Sequence, residues 1–103
     1  MNRSIRFKDV FIPAVLKGNK TITIRSQAGQ RYQPGEPLQV VRDSDGERVA
    51  MIKVLRVESI LFQDLDESHA IREAMSLSAL KKLIREIYPD SDNLTMISFK
   101  LIQ

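Results

Sequence analysis

The spacing of hydrophobic positions changes period several times along the 103 residues. Phe7, Val10, Phe11, Ala14 and Val15 recur at helical spacing. Pro13 interrupts that pattern. It fits in the first turn of a short helix starting near Phe11, or it kinks a longer one. Gly18 is the expected stop. Lys20-Thr21-Ile22-Thr23-Ile24-Arg25 then alternates, with Ile22 and Ile24 on one face and Thr21, Thr23 and Arg25 on the other. That pattern, rich in β-branched residues, predicts a half-buried strand. Ser26 to Gln33 reads as loop, and Pro34-Gly35 as a turn. Pro37 to Arg42 is a second strand carrying Leu38, Val40 and Val41. Asp43-Ser44-Asp45-Gly46 is a hairpin turn. Arg48 to Ile60 reads as a long strand whose imperfect alternation around Met51 suggests a bulge. From Asp64 the period becomes helical again. Leu65, His69, Ala70 and Glu73 suit a short helix ending near Ala74. Ser76 is a suitable N-cap. Leu77, Leu80, Leu83, Ile84 and Ile87 form an apolar stripe, read as core, and Lys81, Lys82 and Arg85 face water. Pro89 ends that helix, and Leu94 to Leu101 is a closing strand.

At least four short strands with helices at their edges predict an α+β fold built on a small, partly closed β-barrel. No linker or repeat interrupts the chain, so one domain over residues 1–103 is expected. A domain of this size has a thin core, and a site in it should be a surface cleft. Hydrophobic residues at 43% and charged residues at 28% are ordinary for a globular protein. The net charge of +3 is small, but residues 1–56 carry 11 basic and 5 acidic side chains while residues 57–103 carry 5 and 8. A basic first half points to an anionic partner. Cysteine is absent and histidine occurs once. That excludes a thiol nucleophile and leaves no zinc ligand set. No apolar run is long enough to span a membrane, and Met1 to Arg6 lacks the apolar stretch of a signal peptide, so a cytoplasmic protein is expected.

Three segments carry candidate chemistry. Thr21, Thr23 and Arg25 share a strand face, where two hydroxyls and a guanidinium can hold a polar ligand. Lys20 beside a threonine hydroxyl is a possible base–nucleophile pair. A free lysine has a pKa of about 10.4, so burial or a second cation such as Arg25 must lower it before it accepts a proton. Residues 20 and 23 lie on opposite faces of a regular strand, so Lys20 must leave the strand direction at Gly18-Asn19. Spacing alone favours the plainer reading, an edge strand with a solvated polar face. His69 and Glu73, four apart, read as a hydrogen-bonded helix pair rather than a metal site. Glu73 becomes a general acid only if burial raises its pKa. Asp43 to Gly46 fails the calcium-loop spacing, which would need glycine at Arg48 and an acid at Val54.

Gly18-Asn19-Lys20-Thr21-Ile22-Thr23-Ile24-Arg25 resembles the signature strand of ASCH domains, small barrels related to the PUA fold. It is similar in particular to the short bacterial N(4)-acetylcytidine amidohydrolases. His69-Ala70 followed by Glu73 and Met75 fits that pattern. So do Leu77, Leu80-Lys81-Lys82, Ile84, Ile87-Tyr88-Pro89, and the strand with Ile97, Phe99 and Lys100. The resemblance implies a PUA-like (ASCH) β-barrel with flanking helices. It also implies deacetylation of N(4)-acetylcytidine to cytidine and acetate without metal or cofactor. By the same resemblance Lys20 is the proton acceptor, Thr23 the nucleophile and Glu73 the proton donor. Arg25 and Thr21 are the expected substrate contacts, and the partner is a small acetylated nucleoside or base. Asn19 stands where the family has a basic residue, and residues 1–17 and 26–60 match loosely, which bears on substrate preference. The alternative from another class is a non-catalytic RNA-binding module. The basic first half suits phosphates, but only six aromatics are present, several of them core-like, to stack on bases.

Overall fold

The computed structural model describes residues 3–27 and 31–102. Residues 28–30 of the expected loop, and the chain's first two residues and its last, lie outside the described residues.

Strand β1, Arg3–Phe7, opens the fold. The sequence pattern had placed Phe7 in a helix, and the correction has a physical cause. β1 is created by parallel pairing with β3 (Pro37–Arg42), Ile5 lying opposite Val40, a contact no local periodicity records. A 3₁₀ turn over Asp9–Phe11 leads into helix α1, Ile12–Leu16, with Pro13 in its first turn where it removes no helical hydrogen bond. Gly18 adopts a φ of +77° and ends the helix. Strand β2, Ile22–Ser26, is shorter than the alternation suggested and excludes Lys20 and Thr21.

Strand β4, Arg48–Leu61, is the long central strand. Its register shifts between Val54 and Arg56 against β5, and between Val40 and Val41 of β3. Such bulges bend and twist a strand. Helices α2, Glu67–Arg72, and α3, Leu77–Ile87, follow, and strand β5, Asn93–Leu101, closes the chain. Ser76 caps α3 as expected, its Oγ accepting from the Ala79 N–H at 3.2 Å. The five strands form one sheet in the order β1-β3-β4-β5-β2, antiparallel except for β1 and β3.

The curled sheet has a core on each face. Ile5, Phe7, Val40, Ile52, Val54, Ile97 and Phe99 pack with Ile12 and Val15 on the inner side. Ile22, Ile24, Leu94 and Met96 pack under Leu65, Ala70, Leu80 and Ile84 of the helical segment. Alternation along β2 therefore sends its isoleucines to the helices and Thr23 to the inner side. The edge strands β1 and β2 come close enough for Arg25 Nη2 to donate to the Arg6 carbonyl at 2.8 Å. This is the α+β, barrel-like architecture with flanking helices that the sequence predicted. The gap between its two edge strands is where the candidate site lies.

Candidate functional site

Lys20 escapes strand alternation because of what precedes it. The Asn19 and Lys20 N–H groups both donate to the Ala14 carbonyl, at 2.9 and 3.1 Å, wrapping the chain round the end of α1. Lys20 then sits ahead of β2, and its side chain turns inward to 4% exposure. The Nζ lies 5.6 and 5.3 Å from the ring centroids of Phe7 and Phe11, which desolvate one side of it and attract its charged form weakly.

Glu73 reaches the same place from the far end of the chain. Asp66 caps α2 by accepting from the Ser68 N–H at 2.9 Å. His69 Nδ1 accepts from the Asp66 N–H at 3.1 Å. His69 thus completes a capping box, and the expected His69–Glu73 pair is overturned: the cap holds the imidazole at the helix start. Glu73 is the C-cap of α2. Beyond it the Met75 N–H donates to the Ala70 carbonyl and the Ala74 N–H to the Ile71 carbonyl, both at 3.0 Å. That is a Schellman motif with Ala74 at the left-handed position, φ +60°. The Thr21 N–H donates to the Arg72 carbonyl at 2.8 Å. This single backbone bond joins the residue after Lys20 to the residue before Glu73.

The outcome is a buried ion pair between Lys20 Nζ and Glu73 Oε1, their side chains 4% and 5% exposed. Thr23, 5% exposed, faces the same cleft. Arg25 Nε donates to Thr23 Oγ1 at 3.1 Å, and its guanidinium carbon lies 5.2 Å from the Phe7 ring centroid. Burial, with the Arg25 charge second, lowers Lys20 from 10.5 to about 7. Burial also lowers Arg25. The strand's polar face is therefore largely sequestered, against the plainer expectation of a solvated edge.

The cleft has a volume of about 240 Å³. Lys20, Thr23, Arg25 and Glu73 all line it, and Thr21 does not; its backbone is engaged with Arg72 and Phe99. Walls that the sequence reading missed come from Arg6, Phe7, Lys8 and Phe11 on one side and Leu83, Ile87 and Tyr88 on the other. The α3 stripe was read as core throughout. Leu80 and Ile84 are core, but Ile87 is 43% exposed at the cleft mouth. The Ile87-Tyr88-Pro89 run was the one available signal for that wall. Among the described residues no three His, Asp or Glu side chains cluster so as to hold a metal ion, and no helix is long and apolar enough to cross a membrane.

Comparison with known proteins identifies the family. The model of the ASCH domain matches residues 2–103. A protein of Serratia proteamaculans (strain 568) named N(4)-acetylcytidine amidohydrolase is 44% identical over 99 residues, covering 96% of this chain and 97% of its own. One of the same name from Vibrio parahaemolyticus serotype O3:K6 (strain RIMD 2210633) is 40% identical over 99 residues, with 96% and 92% covered. Among solved structures, the ASCH domain from Lactobacillus crispatus JV V101 superimposes with a TM-score of 0.80 at 20% identity, covering 90% of this chain and 70% of that one. Fold, full-length sequence similarity and family model converge, and the chain belongs to the ASCH domain family.

Proposed function

We propose that this protein is an amidohydrolase that removes the acetyl group from the exocyclic amine of N(4)-acetylcytidine, releasing cytidine and acetate. The observation that carries the reading is the buried Lys20–Glu73 pair beside Thr23 in one cleft. The names of relatives about 40% identical over nearly the whole chain support the substrate.

The pair works as one unit sharing a proton. In water a lysine–glutamate pair is ionic. Burial penalises both charges, which brings the neutral arrangement, Lys–NH₂ with Glu–COOH, within reach. That arrangement is what the reaction needs. Neutral Lys20 accepts the proton of the Thr23 hydroxyl as its oxygen attacks the acetyl carbonyl. Arg25 Nε, already donating to that oxygen, favours its developing negative charge. Protonated Glu73 then donates to the cytosine nitrogen, since an amide nitrogen leaves poorly without a proton. The C–N bond breaks, leaving acetyl-Thr23 with the pair now ionic. Water attacks the ester while the Glu73 carboxylate takes its proton. The Lys20 ammonium returns a proton to the departing Thr23 oxygen, and the pair is neutral again. The proton count balances over the cycle.

The test is release of cytidine from N(4)-acetylcytidine by the purified protein near neutral pH, followed by chromatography. The expected result is stoichiometric cytidine and acetate. A folded protein that releases neither would overturn the reading. Lys20→Arg separates base from charge: an arginine keeps the cation and cannot accept a proton. Loss of turnover supports Lys20 as base, and near-complete activity assigns it to charge stabilisation instead.

A further inference from the structure

We propose that the cleft continues past Arg25 into an anion subsite, which takes a phosphate group carried on the ribose of the acetylated substrate. The inference rests on the deacetylation reading for its substrate and on a separate set of residues for its chemistry.

A second hollow of about 260 Å³ adjoins the main cleft and shares Arg6, Arg25 and Tyr88 with it. Neither hollow alone reaches the roughly 300 Å³ at which small-molecule pockets begin, but as a continuous groove they exceed it. Ser4, Ser26 and Tyr32 supply most of the remaining lining. Two arginines, two serines and two tyrosines line this space, the Tyr32 hydroxyl donating to the Ser4 carbonyl at 3.2 Å, and no carboxylate lines it. Arginine forks and hydroxyl donors are the groups that bind phosphate oxygens.

Charge on the shared wall is unbalanced. Arg25 donates to a threonine oxygen and a backbone carbonyl, both neutral, and ion-pairs with no carboxylate among the described residues. Burial of an uncompensated cation is unfavourable, and a bound anion offsets it. Arg6 pairs with Asp43 at 3.7 Å, with both side chains 55% exposed. Its Nη1 also donates to the Asp43 carbonyl at 3.2 Å, and both contacts are exposed and screened, so exchanging them for a phosphate costs little. Position also fits. Arg25 stands two residues from Thr23 along β2, roughly 7 Å. With the acetyl carbonyl at Thr23 and the base in the main cleft, the sugar end of the nucleoside exits toward this wall.

The experiment compares kcat/KM at low salt for N(4)-acetylcytidine, its 5′-monophosphate, and a short RNA oligonucleotide containing one acetylated cytidine. Binding of cytidine 5′-monophosphate and of cytidine is measured by calorimetry alongside. The expected result is a phosphate preference of about tenfold or more, expressed in KM, the size of one charge-assisted hydrogen bond. It falls as salt rises, and Arg6→Gln brings the ratio toward one. A preference for the monophosphate supports recognition of a free nucleotide. One confined to the oligonucleotide supports the same phosphate contact made to a chain. Equal or better turnover of the uncharged nucleoside overturns the proposal even if deacetylation is vigorous. If no substrate is turned over, the deacetylation reading fails separately, and calorimetry decides the subsite. Tighter, salt-sensitive binding of cytidine 5′-monophosphate upholds it, and equal binding of the two ligands overturns it.

Discussion

Glu73→Gln is the most informative single change, because it leaves Lys20 buried with its partner made neutral. Lys20 and Glu73 side chains are only 4% and 5% exposed, so solvent screens little of the loss. Breaking a buried ion pair by removing one partner costs about 3–5 kcal/mol. A domain of this size has about 5–15 kcal/mol in all, so the variant folds with a reduced margin. The sign with pH follows from linkage. A lysine lowered in the folded state binds fewer protons there than in the unfolded chain between about pH 7 and pH 10.5. Stability from this group therefore rises with pH across that window and is lost as pH falls through about 7. In the variant, neutral lysine no longer needs a counter-charge at high pH. In the parent, deprotonating Lys20 leaves the Glu73 carboxylate unpaired. Both effects shrink the gap between the two proteins. Urea unfolding followed by circular dichroism at pH 7, 8.5 and 10 measures it. The expected gap is about 3–5 kcal/mol at pH 7, clearly smaller at pH 10. A gap under about 1 kcal/mol at pH 7, or one that does not change with pH, refutes the account of the pair.

Three further outcomes are expected. The kcat/KM for N(4)-acetylcytidine should fall as pH rises through about 7, because the Lys20–Glu73 pair then loses the shared proton that Glu73 must deliver, and a profile flat from pH 6 to 9 would contradict it. Arg25→Lys should lower kcat by roughly 10–100-fold with little change in fold. A lysine cannot donate both to Thr23 Oγ1 and to the Arg6 carbonyl in the arginine geometry, and circular dichroism with steady-state kinetics checks both halves. Ala74→Gly should stabilise the protein by about 1 kcal/mol, read as a rise in Tm. It relieves a left-handed residue at the end of α2 while keeping the backbone bonds of that turn.

Elements whose cause is local were legible in the chain. β3 runs over Pro37–Arg42 as its alternation indicated, and α3 begins after the Ser76 cap and stops before Pro89. β1 was not legible. Arg3-Ser4-Ile5-Arg6-Phe7 is short and carries two arginines, and its strand form depends on β3, more than thirty residues away. The same distinction governs the site. Lys20, Thr23 and Arg25 stood out because they share one segment. The sequence could not say that Phe7 lies against both Lys20 and Arg25, or that Ile87 leaves the core for the cleft.

The residue types and their order along the chain were thus determined by the sequence alone. They supply a lysine beside a threonine-bearing strand, a glutamate at a helix end, and a basic first half. Tertiary structure decided what these groups do to one another. Lys20 and Glu73 are 53 positions apart, and an ion pair between them requires the turn at Gly18, the Schellman turn at Ala74 and the bond from Thr21 to Arg72 that clamps the two. Only then are both charges out of water. Desolvation depends on every element packed around a group and not on its neighbours in sequence, which is why the lowering of Lys20 was posed by the sequence as a condition and met by the fold.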